Sequence, residues 1–129
     1  VATRARRTGG ATTGAMEIAL RIQATGDGHY HCGWSPASGA LRLQWTRSNG
    51  LLGAVLAQTS VNIAAIPGYD PTASVVVEAQ AQGNALRCCV RDVAGATVNA
   101  TDTRYTVGSP GVRTTSQATA FDDVLVSAP

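Results

Sequence analysis

Charge is scarce in this sequence, and lysine is absent. Only 14% of the 129 residues are charged, all ten basic residues are arginine, and the formal net charge is +2. A charge this small does not create the positive field by which proteins attract nucleic acid, so we expect no nucleic-acid partner. The missing lysine and the abundance of Ala and Val are typical of a GC-rich genome and carry no functional information.

Long apolar runs are also absent. None approaches the ~20 consecutive residues that cross a bilayer as a helix, so we expect no membrane insertion. The chain starts at Val1 and shows no charged-then-apolar secretory signal, so we expect it to be processed or part of a longer protein. Its length is that of one domain.

Catalytic patterns are missing as well. The chain has only two glutamates, Glu17 and Glu78, and each stands alone in its predicted strand. Since glycoside hydrolysis requires two carboxyl groups ~5 to 10 Å apart, this pattern argues against it. No nucleophile elbow and no glycine-rich phosphate loop is present. We expect a protein that is not an enzyme and needs no catalytic cofactor.

Cysteine is rare, and its spacing excludes two common sites. Three cysteines without a C-x-x-C pair support neither a zinc site nor a thioredoxin-like motif. In the strands predicted below, Cys32 and Cys88 face the core and Cys89 faces outward. A Cys32–Cys88 disulfide fits this arrangement if the two Cα atoms lie within ~7 Å, and buried free thiols fit it equally.

What the sequence does contain is a clear β-hairpin at residues 74–92, SVVVEAQAQGNALRCCVRD. Gly83 and Asn84 tolerate the positive φ angles of a two-residue turn, and β-branched residues dominate the first strand. The predicted pairs are Val77 with Val90, Ala79 with Cys88 and Ala81 with Leu86 on one face, and Glu78 with Cys89, Gln80 with Arg87 and Gln82 with Ala85 on the other. The first face is apolar and the second mostly polar, which predicts a half-buried antiparallel sheet.

Alternation predicts further strands along the chain. Residues 15–23 alternate cleanly, and residues 29–34 and 41–47 form a second hairpin. Its inward side chains are Tyr30, Cys32, Trp34, Leu41, Leu43 and Trp45, and its outward side chains include His29, His31, Arg42 and Gln44. Residues 51–66 alternate weakly. A helix is the alternative there, but Gly53, the β-branched residues and the lack of a cap favour two strands.

The pattern as a whole predicts an all-β fold. About ten short strands at intervals of roughly eight to twelve residues, with no amphipathic helix, are typical of an antiparallel β-sandwich or jelly roll. We expect residues 15–129 to form this single domain. Residues 1–14 are polar and rich in Gly and Thr, so we expect a flexible or partner-bound arm.

The second half of the chain resembles a known superfamily. The hairpin VVVEAQAQGNALRCCVRD, the loop-rich segment TDTRYTVGSPGVRT and the closing AFDDVLVSAP are similar to the C-terminal half of concanavalin A-like, laminin-G-like jelly-roll domains. The match covers residues 74–129, and residues 15–47 in pattern only. Members include lectins, carbohydrate-binding modules, glycanases, adhesion domains and parts of bacteriophage tails, so the resemblance implies a fold more than a function.

The resemblance implies a non-catalytic recognition or adhesion module with carbohydrate as its ligand, located outside the cell or on its surface. The alternating Glu, Asp and Glu of the superfamily's retaining glycanases is absent, so glycoside hydrolysis ranks last. The alternative is a structural or decoration protein of an extracellular or virion assembly. Members carry further strands before the equivalent of Ala15, so in that case the arm or an incomplete sheet edge would pair with a neighbouring subunit, including a second copy.

Carbohydrate binding requires hydrogen-bonding groups for hydroxyls and an aromatic platform for the C–H face of the sugar. Aromatic residues make up only 5% of the chain, and the loop residues Tyr69 and Tyr105 are the platforms that remain when both Trp face inward. The candidate ligand-binding residues are His29, His31, Gln44, Tyr69, Glu78, Gln80, Arg87 and Tyr105. An ordinary solvated sheet face explains the same residues without a ligand, so both interpretations stay open.

Two metal hypotheses remain. His29 and His31 are two residues apart on one strand face, as in metal-binding pairs, but no third ligand is evident. We therefore expect solvated surface histidines, with the metal pair as the alternative. Asp122 and Asp123 lie where the resemblance implies a structural role, and in some relatives an acidic residue near this position helps bind a structural Ca²⁺. Calcium takes about six to eight oxygen ligands, and hydrogen bonding to a neighbouring turn is the alternative.

Overall fold

The computed structural model describes residues 2–7, 15–25, 28–47, 49–66, 68, 75–115 and 121–127. These residues form ten strands and a short 3₁₀ turn, and the expected all-β fold class is confirmed. The strands are β1 (Ala2–Arg7), β2 (Ala15–Ile22), β3 (His29–Trp34), β4 (Ala40–Thr46), β5 (Leu52–Ser60), β6 (Val76–Gln82), β7 (Ala85–Val90), β8 (Thr97–Thr101), β9 (Ser109–Thr115) and β10 (Phe121–Ser127). The 3₁₀ turn is Ile63–Ala65.

The strands form two five-stranded antiparallel sheets that pack as a sandwich. Sheet I has the order β10-β1-β6-β7-β8, and sheet II has the order β5-β4-β3-β2-β9. The chain crosses from one sheet to the other after β1, β5, β8 and β9. Strands that are distant in the sequence, such as β2 and β9, therefore become neighbours.

The β6–β7 hairpin has the register that its sequence predicts. All six predicted pairs are present, from Val77 opposite Val90 to Gln82 opposite Ala85. The turn residue Gly83 has a φ of +53°, which glycine adopts without strain. The second predicted hairpin is also confirmed, as β3 paired with β4.

β1 corrects the expectation that the start of the chain is an arm. Ala2–Arg7 lies between β6 and β10 and pairs with both. Its sequence, ATRARR, has no apolar alternation, so periodicity could not reveal it. Backbone hydrogen bonds to two neighbouring strands, rather than an apolar face, define this strand. Residues 8–14 are outside the described part of the chain.

β5 corrects the expectation for residues 51–66. Leu52–Ser60 forms one continuous strand of nine residues rather than two strands or a helix. Its pairing with β4 shifts on both sides of Gln44, and its side chains are exposed or half-exposed. Because a bulged strand at the edge of a sheet buries neither face fully, its hydrophobic alternation is weak.

The core lies between the two sheets. Its largest fully buried apolar side chains are Trp34, Tyr30, Met16, Ile18, Leu20, Leu41, Leu43, Leu86 and Val77. Cys32 of β3 and Cys88 of β7 form a disulfide across this core, with their Cα atoms 5.4 Å apart. Cys89, which follows Cys88 in the chain, is buried and is not part of this disulfide. The disulfide joins the central strand of sheet II to sheet I.

Candidate functional site

Six of the eight predicted ligand-binding residues lie on two opposite outer faces of the sandwich. His29, His31 and Gln44 belong to sheet II. Glu78, Gln80 and Arg87 belong to sheet I. Because each hairpin belongs to a different sheet and the core lies between them, the two sets cannot contact one small ligand.

A cleft of about 280 Å³ lies on the outer face of sheet II. We call it the sheet II cleft. Its lining includes the backbone of Gly33 and the side chains of Glu17, His31, Arg42, Gln44, Leu52 and Arg113. Two of these residues, His31 and Gln44, were predicted as ligand-binding residues.

Gly33 forms a gap in the middle of this surface. It pairs with Glu17 of β2 on one side and with Arg42 of β4 on the other. Having no side chain, it leaves room between these two charged residues, and the Glu17 side chain occupies part of that room. A Cβ atom at Gly33 would lie 3.3 Å from Cγ of Glu17, so the Glu17 side chain leans over the glycine.

His31 is held by hydrogen bonds on both sides of its ring. Its Nε2 lies 3.3 Å from Oε1 of Gln44, and its Nδ1 lies 3.2 Å from the hydroxyl of Thr46. Since an amide oxygen only accepts, Nε2 carries the proton and Nδ1 accepts from Thr46. Gln44 is fixed in turn, because its Nε2 donates to the carbonyl of Gly53 at 2.7 Å.

The charges beside His31 are also fixed. Glu17 is 8% exposed and pairs with Arg113 of β9, with 3.3 Å between Oε2 and Nε. Burial lowers the pKa of His31, although the carboxylate of Glu17 and the hydrogen bond with Gln44 act in the opposite direction. The imidazole is therefore neutral at pH 7.

The expectation of solvated surface histidines is wrong. His29 is 7% and His31 3% exposed, although both face away from the core. His31 contacts Gln44 and Thr46 of the neighbouring strand β4, which a single-strand pattern cannot show. Their ring centroids lie 5.9 Å apart. Among the residues that the structure describes, no three His, Cys, Asp or Glu side chains form a metal-binding group.

The outer face of sheet I carries a shallower candidate. A groove of about 530 Å³ runs over β6, β7 and β8, where Gln80, Arg87 and Asn99 lie side by side in register. Within the described residues, no hydrogen bond or ion pair holds these three side chains in place. Glu78 lies outside the groove and pairs with Arg91, with 3.3 Å between Oε1 and Nε.

Tyr105 packs into the fold instead of standing out as a platform. Its hydroxyl donates to the carbonyl of Thr46 at 2.7 Å, and its ring meets Tyr30 edge-on with 5.3 Å between centroids. Tyr69 lies outside the described residues. The side chains of Asp122 and Asp123 do too, so the structural Ca²⁺ hypothesis stays a prediction.

Tyr30 fixes the loop that follows β8. Its hydroxyl donates to Oδ1 of Asp102 at 2.6 Å and accepts from the backbone N–H of Tyr105 at 3.0 Å. Burial and the hydrogen bond to Asp102 raise the pKa of Tyr30 to about 12. Burial opposes ionisation of Asp102, but hydrogen bonds from Tyr30 and from the N–H of Arg104 outweigh it and lower the pKa of this carboxyl.

Sequence reasoning missed Glu17 and Arg113 as members of a site. The alternation of residues 15–23 places Glu17 on the outer face, which was the only available signal. Arg113 falls in a segment that reads as turns, yet it lies on β9 directly opposite Glu17 of β2. Their contact depends on pairing between strands far apart in the sequence, which no local pattern reveals.

Comparison with known proteins identifies the fold. No protein-family model matches the sequence, and no curated protein matches it significantly. The carbohydrate binding module CBM66 from Bacillus subtilis has a TM-score of 0.73 and 15% identity, covering 95% of this chain and 71% of its own. Chicken galectin 2 has a TM-score of 0.59 and 9% identity, and the match covers 97% of this chain and 85% of the galectin. Sheep galectin-11, solved in complex with glycerol, has a TM-score of 0.56 and 10% identity. The match covers 92% of this chain and 88% of the galectin.

Identities this low show the fold and nothing finer. Among the described residues no helix is long and apolar enough to cross a membrane. The predicted resemblance is confirmed at the level of fold: the chain is a jelly-roll, concanavalin A-like β-sandwich, the architecture of a carbohydrate-binding module and of galectins.

Proposed function

We propose that this domain is a non-catalytic carbohydrate-binding module and that the sheet II cleft is its binding site. The observation that carries the proposal is pre-organisation: contacts within the fold hold Glu17, His31 and Gln44 in place around Gly33. Ordering side chains on binding costs affinity, so side chains that are already ordered favour a ligand site. The shared fold of a carbohydrate-binding module supports the ligand class.

The chemistry of the cleft suits a sugar. Hydroxyl groups both donate and accept hydrogen bonds, and the cleft offers the carboxylate of Glu17 as acceptor and the guanidinium of Arg42 as donor. Leu52, 57% exposed, lines one wall and offers apolar contact to C–H groups in place of an aromatic ring. The groove on sheet I lacks this combination of ordered polar groups.

Glycan-array screening followed by calorimetry tests the proposal. We expect Gln44→Ala and Glu17→Gln to weaken binding about tenfold or more. Gln44→Ala removes a half-buried hydrogen-bonding group, and Glu17→Gln replaces the carboxylate by a weaker acceptor and breaks its ion pair with Arg113. Gln80→Ala on sheet I is the matched control for Gln44→Ala and should leave the affinity unchanged. A wild-type protein that binds no glycan would contradict the function. Loss of binding in the Gln80 variant alone would move the site to sheet I.

A structural role is the second candidate function, and exposed apolar side chains on edge strands favour it. Leu52 and Val55 of β5 are 57% and 42% exposed, and Leu125 and Val126 of β10 are 57% and 49% exposed. Such edges can pair with a neighbouring chain. Light scattering should then show assembly that Val55→Lys abolishes and Gln58→Lys does not. A monomer at high concentration would exclude this role.

We also propose that the protein works outside the cell or on its surface. The Cys32–Cys88 disulfide supports this location, because such bonds persist in oxidising compartments and are rare in the cytosol. Mass mapping of non-reduced protein from its native source should recover the two cysteines in one linked peptide pair. Three free thiols would contradict both the bond and the location.

A further inference from the structure

Among the residues that the structure describes, one charged side chain at the sheet II cleft has no hydrogen-bonding or ionic partner. Arg113, Glu17, Gly33 and Arg42 form a row across four strands, each opposite the next. Arg113 and Glu17 neutralise each other through their ion pair. Arg42 is exposed, and within the described part of the chain its guanidinium makes no hydrogen bond and no ion pair.

We infer that the ligand of this cleft is an acidic glycan, whose carboxylate or sulfate group binds Arg42 while the sugar ring lies in the cleft between Arg42 and Glu17. The inference rests on the proposed function, since it names the class of sugar bound at that same site. A guanidinium binds carboxylate and sulfate oxygens through two parallel hydrogen bonds, which gives both strength and orientation.

The spacing of the row fits such a ligand. Glu17 and Arg42 lie on strands separated by one other, so their backbones are about 10 Å apart. The Glu17 side chain extends over Gly33, and the part of the cleft between this side chain and Arg42 is open. The Glu17 carboxylate does not repel an anion at Arg42 strongly, because Arg113 neutralises it and the gap separates the two sites. The cleft therefore carries one uncompensated positive charge at one end and hydrogen-bonding groups at the other.

Arg87 provides a matched control. It is an exposed arginine on a strand of the opposite outer face, so Arg87→Gln removes the same charge from the protein without touching the cleft. Any effect of net charge alone must appear equally in both variants. Because the Arg42 guanidinium makes no hydrogen bond and no ion pair among the described residues and the side chain is exposed, Arg42→Gln should leave the thermal midpoint unchanged.

The experiment compares uronate-containing and sulfated oligosaccharides with their neutral counterparts, using wild type, Arg42→Gln and Arg87→Gln. We expect the acidic ligands to bind more tightly than the neutral ones. Arg42→Gln should lower affinity for them about tenfold or more, and Arg87→Gln less than about twofold. The preference of the wild type should also weaken as salt concentration rises.

The outcomes separate this inference from the proposed function. If neutral glycans bind as well as acidic ones and Arg42→Gln changes nothing, the acidic class is wrong and the carbohydrate function stands. Equal losses in both arginine variants would also overturn the inference, because they indicate attraction by net charge. If no glycan binds at all, the proposed function fails and the inference fails with it.

Discussion

At the scale of single residues, the fold controls the ionisation of His31. The ring lies between Gln44 and Thr46 and is 3% exposed. The charged or titratable groups around it are Glu17, His29 and Arg113. Burial dominates over the favourable charge of Glu17, so the pKa of His31 lies below its usual value. A proton therefore binds His31 more tightly in the unfolded chain than in the folded one.

This difference predicts a pH dependence of stability. The contribution of neutral His31 to the free energy of unfolding is complete above its unfolded pKa of about 6.5. It is lost as the pH falls from there through the lower folded pKa, because protonation favours the unfolded chain. We expect the free energy of unfolding, measured by urea titration, to fall between pH 7.5 and 5. The slope for one proton is at most about 1.4 kcal/mol per pH unit.

Two variants test whether His31 causes this pH dependence of the free energy of unfolding. His31→Gln should reduce the slope between pH 7.5 and 5 even if the variant is less stable overall. His29→Gln changes the neighbouring histidine on the same face and should retain most of the slope. An unchanged slope in the His31 variant would show that other groups cause the acid sensitivity.

At the scale of elements, β2 has an irregularity that links the two sheets. Arg21 has a φ of +56°, and its guanidinium donates to the carbonyls of Tyr105, at 2.7 Å, and of Gly83. The side chain thus joins sheet II to the β6–β7 turn of sheet I. Gly108, with a φ of +142°, passes so close that a Cβ atom there would lie 2.5 Å from the backbone of Arg21.

This contact makes Gly108 far less replaceable than a glycine that has open space around it, such as Gly95. We expect Gly108→Ala to lower the free energy of unfolding by about 3 kcal/mol or more, because φ strain and backbone overlap add. Gly95 also has a positive φ, +76°, but a Cβ atom there would meet nothing within 4 Å. Gly95→Ala should therefore cost only about 1 to 2 kcal/mol. Equal losses in denaturant unfolding would contradict the role of the Arg21 contact.

At the scale of the whole molecule, the sequence predicts hairpins better than the sheets that they form. The β6–β7 register follows from one turn and two dissimilar faces. β1 and β9 could not be predicted, because neither alternates clearly and both pair with strands distant in the sequence. The site divides in the same way: His31 and Gln44 share a hairpin and were predicted, whereas Arg113 meets the cleft through β9.

The disulfide also joins parts of the chain that are far apart in the sequence. Cys32 and Cys88 are separated by 56 residues and lie on different sheets. Replacing both with Ala should lower the free energy of unfolding by about 4 kcal/mol, as expected when a loop of this length is no longer closed in the unfolded chain. Cys89→Ala, which leaves the bond intact, should cost less. A wild-type unfolding midpoint that does not respond to strong reductant would contradict this prediction.

β5 belongs to two surfaces at once. Leu52 forms a wall of the sheet II cleft, the carbonyl of Gly53 orients Gln44, and the strand is also a free edge of sheet II. A neighbouring chain that paired with this edge would cover Leu52, and a bound glycan would hinder that pairing. Assembly and recognition are then thermodynamically linked, so each glycan that weakens assembly by some factor must itself bind the assembled form more weakly by the same factor.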